Sequence, residues 1–203
     1  VYNKLIELGH EVMGIDLKEG EDILLDLNDL QYEEFKPEYI FHLAAIPRVA
    51  YSMECPHEVL YNNVVTSLNV LDFARIHGVK RVIYSSSSSV RGNGDGPTSR
   101  DGEQRRDMLY VHDAVAANIF CMNYEGTFNG QNFDTGTGNN ISLNELKQIV
   151  LEHHPDTAFL YVDDRAGDVR LTKAETKPLS DLGWTTKMDI KTGVSNCFKG
   201  AKN

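Results

Sequence analysis

Two short apolar runs joined by one long helical pattern constrain this chain more than any other feature. "YIFHLAA" (39–45) is continuously apolar, and "KRVIYSSS" (80–87) is a second β-branched run. Between them, "PHEVLYNNVVTSLNVLDFARIHG" (56–78) opens on Pro56 and stops at Gly78, the punctuation of a helix. Parallel neighbours need a crossover of this length, usually a helix. Continuous apolar runs mark strands covered on both faces. The alternation extends upstream. A helical stretch with Leu5, Ile6 and Leu8 on its apolar face stops at Gly9, and "EVMGIDL" (11–17) and "DILLDL" (22–27) read as strands. "LNDLQYEEFKPE" (27–38) reads as a short helix ended by Pro37. The expectation is a doubly wound α/β sheet.

The second half is less regular. "MLYVHDAVAANIFCMN" (108–123) reads as strand, turn and helix, and "GQNFDTGTG" (130–138) as a strand entering a glycine turn. "SLNELKQIVLEHH" (142–154) is a helix with a capping box from Ser142 to Glu145. "TAFLYVD" (157–163) reads as a strand. His153 and His154 favour that helix end electrostatically, and a metal role is not expected of them. His42 reads as a buried strand residue without a second ligand.

The net charge of −10 argues against non-specific binding to nucleic acid or an anionic membrane. It leaves room for an anionic small ligand held by a few local arginines. Cys55, Cys121 and Cys197 show no paired spacing, so neither a disulfide framework nor a zinc site is expected, and a reducing cytoplasm fits. No leader pattern is visible, and no apolar run approaches the ~18 residues of a membrane span.

Asp16 ends a strand that follows a helix. In dinucleotide-binding folds an acid there accepts hydrogen bonds from the adenosine ribose and favours NAD over NADP. The alternative is a surface Asp after a strand. The glycine-rich turn that should precede such an acid by about 20 residues has no place here, because only fifteen residues precede Asp16. "RGNGDGP" follows a later strand, opens no helix and reads as a loop.

"LIELGHEVMGIDL", "IFHLAAIPRVAYSMECP", "NNVVTSLNVLDFARIHGVKRVIYSSSSSV", "DGEQRRDMLYVHDAV", "FDTGTGNNISLNEL" and "DRAGDVR…LGW" together resemble the extended short-chain dehydrogenase/reductase family, in its NAD-dependent sugar-nucleotide epimerase/dehydratase branch. The blocks stand in that family's order and cover nearly the whole chain. The resemblance implies a Rossmann-like doubly wound sheet with a small C-terminal substrate-binding region. Residues 1–99 would be an incomplete NAD-binding portion and residues 100–203 the substrate-binding portion. Asp16 would hold the adenosine ribose, Asp26 and Leu27 would flank the adenine, and Leu43, Ala44 and Ala45 would line the cofactor. Asn63 would sit on the helix behind it. Ser87 would be the catalytic hydroxyl, bonded to the sugar hydroxyl being oxidised, with Ser88 and Ser89 beside the substrate. Arg106 and Arg165 would grip the substrate diphosphate, a task that suits planar guanidinium groups, and Asp168 would stand beside that site. The bland readings are a strand-end serine, a surface charge beside Arg105 and a turn arginine.

Within that branch the serine run discriminates. Dehydratases usually carry carboxylates just after the catalytic Ser/Thr for proton transfer; here those positions are Ser88 and Ser89. The resemblance therefore implies a UDP-sugar 4-epimerase working through a 4-keto intermediate, on a UDP-hexose or UDP-hexuronate, in a possible homodimer packed through residues 56–78. A dehydratase of the same branch, a binding relative without turnover and an inactive remnant are the alternatives. The family's Tyr-x-x-x-Lys helix should follow the serines, and no such match follows Ser89. Tyr32 and Lys36 have the spacing but precede the serines and are given no catalytic role. "VRG" places Arg91 where the family has an aromatic.

Two pieces of the family pattern are thus expected to be missing: the first strand with its glycine turn, and the segment between about Ser99 and Arg100. The first strand would lie between the strands ending at Asp16 and starting at Tyr39, so its loss leaves two central edges unpaired. The chain either omits residues of a longer protein, re-pairs its strands, or is a remnant; six intact blocks favour omission. A Ser99–Arg100 Cα separation far above 3.8 Å is the mark expected of that.

Overall fold

The computed structural model describes residues 1–17, 23, 24, 26, 35–88, 101–163 and 169–200. Leu27, Ser89, Arg165 and Asp168 lie outside the described residues, as do Tyr32, Arg91, most of the helix expected over 27–38 and the Ser99–Arg100 junction. The chain forms two compact units, Val1–Ser87 with Cys121–Asn123, and Ser88–Phe120 with Tyr124–Asn203.

In the first unit, α1 (Tyr2–Glu7) stops where Gly9 takes φ +84°. Its apolar face is narrower than expected: Leu5 is buried, whereas Ile6 and Leu8 are exposed. β1 (Ile15–Asp16) pairs in parallel with β2 (Ile23–Leu24). β3 (Tyr39–His42) pairs in parallel with β4 (Arg81–Tyr84), Tyr39 opposite Arg81 and His42 opposite Tyr84. Between them come α2 (Val49–Glu54), which the sequence did not announce, and α3 (Pro56–His77). Gly78 closes α3 in the left-handed conformation at φ +67°, and its amide donates to Ala74 O. The βαβ unit is the expected one. Among the described residues no ladder joins β1–β2 to β3–β4, so the re-pairing alternative is not realised there.

Two opposite faces of α3 are apolar. Val59, Thr66, Val70 and Ala74 form its buried face, and burying the two valines contributes about 1.5–3 kcal/mol each. Leu60, Tyr61, Val64, Leu68 and Leu71 are each more than half exposed. A helix with a second apolar face has a second surface whose burial is favourable.

In the second unit, β5 (Arg105–Arg106) pairs antiparallel with β6 (Ile141–Ser142) and bridges Leu171 on its other side. α4 (Val111–Asn123) follows β5; residues 108–110 are not the strand expected there. α5 (Leu143–His153) has the expected capping box. Glu145 N donates to Ser142 Oγ, and Ser142 N donates to Glu145 Oε2. α6 (Lys177–Asp181) and α7 (Ile190–Gly200) complete the unit. The strands expected within 130–136 and 157–163 do not form; neither stretch has a ladder partner among the described residues. Strand propensity is largely fit to neighbouring strands, and without them such a stretch stays irregular. The glycine turn itself is present, with Gly138 at φ +72° and Gly136 where a Cβ would strike Asp107 and Ala174.

No described helix is long and apolar enough to cross a membrane. Among the described residues no cluster of three metal-ligating side chains occurs.

Candidate functional site

In the first unit the candidate residues lie at the C-terminal ends of parallel strands, where open α/β sheets place their ligands. Asp16 is the last residue of β1, with its side chain exposed. It lies opposite Leu24 in β2, and half-buried Asp26 follows two residues after Leu24. Leu43, Ala44 and Ala45 leave β3 directly after His42, and all three are exposed. In the neighbouring strand, β4 ends at Tyr84 and Ser85–Ser87 follow, also exposed. The Ser85 amide donates to His42 O at 3.0 Å, so the two exits run side by side. The structure thus sets the exits of β3 and β4, Leu43–Ala45 and Ser85–Ser87, side by side, and places Asp16 and Asp26 at and just beyond the ends of the β1–β2 pair.

Asn63 is half-buried. Its Oδ1 accepts from Ile46 N at 2.8 Å and its Nδ2 donates to Ile46 O at 3.2 Å. It fixes the turn after Ala45. One turn along α3, Ser67 Oγ donates to Asn63 O at 2.7 Å. With that proton committed, Ser67 Oγ accepts from His42 Nε2 at 3.0 Å. The His42 ring is buried and lies 5.2 Å from the Tyr84 ring. Burial lowers its pKa, since a charged imidazolium is poorly solvated there.

In the second unit, Ser88 is exposed at the end of the described serine run. The two arginines of β5 differ sharply. Arg105 is committed internally: its Nε donates to Asn140 Oδ1 at 2.8 Å, its Nη2 to Asn140 O, and it pairs with Glu145 at 2.9 Å. Arg106 is the next residue, so its side chain leaves the opposite face of the strand; its Nη1 donates to Arg105 O.

Two carboxylates that the sequence did not single out organise this unit. Asp107 accepts from Thr137 N and Oγ1 through Oδ1, and from Gly138 N and Ala174 N through Oδ2. Asp113 is buried; its Oδ2 accepts from Thr186 Oγ1, Lys187 N and Met188 N. Burial pushes its pKa up, but those hydrogen bonds outweigh it and hold the carboxyl below the ordinary aspartate value. An acid on each side of "MLYVH" was the available signal.

The donor set of the first unit fits the adenosine and ribose side of a dinucleotide. Asp16 offers an exposed carboxylate at a strand end for ribose hydroxyls, and Ala44 and Ala45 present small side chains that let a ligand approach the backbone.

Comparison with known proteins finds relatives of this chain and of its fold. A family model described as the NAD dependent epimerase/dehydratase family matches residues 1–101. The UDP-glucose 4-epimerase of Corynebacterium glutamicum is 28% identical over 197 residues, covering 79% of this chain and 57% of the relative. The solved UDP-glucose 4-epimerase of Thermotoga maritima, with UDP-glucose, superposes with a TM-score of 0.84 at 22% identity, covering 99% of this chain and 94% of that one. MoeE5, solved in complex with UDP-glucuronic acid and NAD, gives 0.82 at 23% identity, covering 95% and 91%. These superpositions show the fold, a Rossmann-type α/β architecture. The chain spans 33% to 57% of the length of the first curated relatives it matches.

Proposed function

Because the chain belongs to the NAD-dependent epimerase/dehydratase family, we propose that it carries the cofactor face and part of the substrate face of a nucleotide-sugar 4-epimerase. NAD, when bound, supplies the acceptor and donor of a hydride. Asp16 holds the adenosine ribose, Asp26 and Leu27 flank the adenine, and Leu43–Ala45 form the surface the cofactor lies on. Ser87 hydrogen-bonds the sugar hydroxyl at carbon four, beside that surface. Arg106, with Arg165, binds the diphosphate, and Asp168 stands next to it. Residues 1–99 serve the cofactor and residues 100–203 the sugar nucleotide. Three free thiols accord with a reducing, cytoplasmic setting.

One observation carries the choice of epimerisation. The residues after Ser87 are hydroxyls, Ser88 and Ser89, where proton transfer for dehydration needs carboxylates. The substrate class proposed is a UDP-hexose or UDP-hexuronate. A second reading, a binding relative without turnover, is favoured by the lack of a Tyr-x-x-x-Lys pair after the serines. Purifying the 203-residue chain, identifying its bound nucleotide and assaying interconversion of UDP-glucose and UDP-galactose separates the two. NAD with interconversion supports the epimerase, and NAD alone supports the binding relative.

The exposed face of α3 supports a homodimer. Tyr61, Val64, Leu68 and Leu71 recur at alternating three- and four-residue intervals, a helix-packing seam. An antiparallel two-fold pairing at the level of Thr66 faces Tyr61 with Leu71 and Val64 with Leu68. Leu68→Glu is expected to shift the sedimenting species from dimer to monomer; an unaltered dimer would rule this seam out.

A further inference from the structure

The three exposed residues that leave β3 are pinned at both ends to successive turns of one helix. At the near end His42 Nε2 bonds Ser67 Oγ, and at the far end Ile46 N and O bond the Asn63 side chain. Asn63 and Ser67 are four residues apart and so share one face of α3. The intervening Leu43, Ala44 and Ala45 are held between the two anchors, with their surface open. The His42 carbonyl also receives the Ser85 amide, and its ring lies against Tyr84. A leucine would fill the same buried strand position without bonding Ser67. We infer that His42 is a positioning residue. Its ring clamps β3 to α3, so that the Leu43–Ala45 surface and the exit of β4 toward Ser87 are presented in one fixed frame. It touches neither cofactor nor substrate. Its functional consequence rests on the proposal that Leu43–Ala45 receive NAD.

Amide hydrogen exchange on the unliganded 203-residue chain, combined with NAD titration, tests this. His42→Leu and the milder Ser67→Ala each delete the near anchor. Loss of one hydrogen bond of ordinary strength corresponds to up to about tenfold in an opening equilibrium. Exchange at Ile46 is therefore expected to quicken by about that factor in both variants, with NAD bound correspondingly more weakly. His42→Gln, whose amide reaches the Nε2 position, is expected to restore both. Unchanged exchange at Ile46 in both variants overturns the clamp, as does a Gln variant no better than Leu. Failure of the unsubstituted chain to bind NAD overturns the cofactor reading instead, and is seen separately because the exchange measurement needs no ligand.

Discussion

The exit of β3 and the loops around β5 are held by opposite chemistry. At β3 the hydrogen bonds are between neutral groups: a strand imidazole whose pKa burial has lowered, bonded to a helix serine, and a helix asparagine that reaches to the turn at Ile46. Around β5 they are carboxylates, Asp107 and Asp113, each gathering several backbone and hydroxyl donors from distant loops. A neutral clamp adds no net charge beside the surface proposed to receive NAD. An ionised staple is stronger, because hydrogen bonds to charge exceed neutral ones, but it depends on pH.

The contrast breaks first at Asp113. Asp113→Ala leaves three donors without their acceptor and is expected to cost about 3 kcal/mol, read from the denaturant midpoint. A loss below about 1 kcal/mol would mean that the staple is not what joins α4 to residues 186–188. Acid sharpens the same point. The folded Asp113 value lies below the unfolded one, so the unfolded chain binds the proton first. The stabilisation is present above the ordinary aspartate value, about 3.9. It fades as pH falls below that and is gone once the folded value is passed. Asp113→Asn is expected to flatten this dependence, and an unchanged slope would assign it to other carboxylates.

At the neutral clamp the effect is smaller. Asn63→Ala removes both bonds to Ile46 and is expected to cost about 2 kcal/mol, with faster exchange confined to the Ile46 region. The smallest effect tests a purely local device. Ser142→Ala removes the α5 cap and is expected to cost about 1 kcal/mol, with no change in nucleotide binding.

The parts of the fold written locally were legible. Pro56 and Gly78 bound α3, and Ser142 with Glu145 caps α5, because each signal acts within one or two turns. The stretch 157–163 is a strand-like apolar run and 130–136 leads into a glycine turn, yet a strand exists only where a neighbour offers its edge, and that is not written in the stretch itself. α7 was readable and was missed: Asp189 caps it by accepting from Thr192 N, and Ile190, Val194 and Cys197 recur on one face. At the candidate site, residue types at strand ends pointed to Asp16, Leu43–Ala45 and Ser87. The bond between His42 and Ser67, across a separation of 25 residues, is a tertiary pairing that no local pattern encodes.

The most direct test follows the hydrogen at carbon four. The chain is incubated with NAD and UDP-galactose deuterated at that carbon. Reversible hydride transfer at carbon four predicts UDP-glucose that keeps its deuterium there. UDP-glucose with the label washed out to solvent, or no UDP-glucose from a chain that has bound NAD, would contradict it.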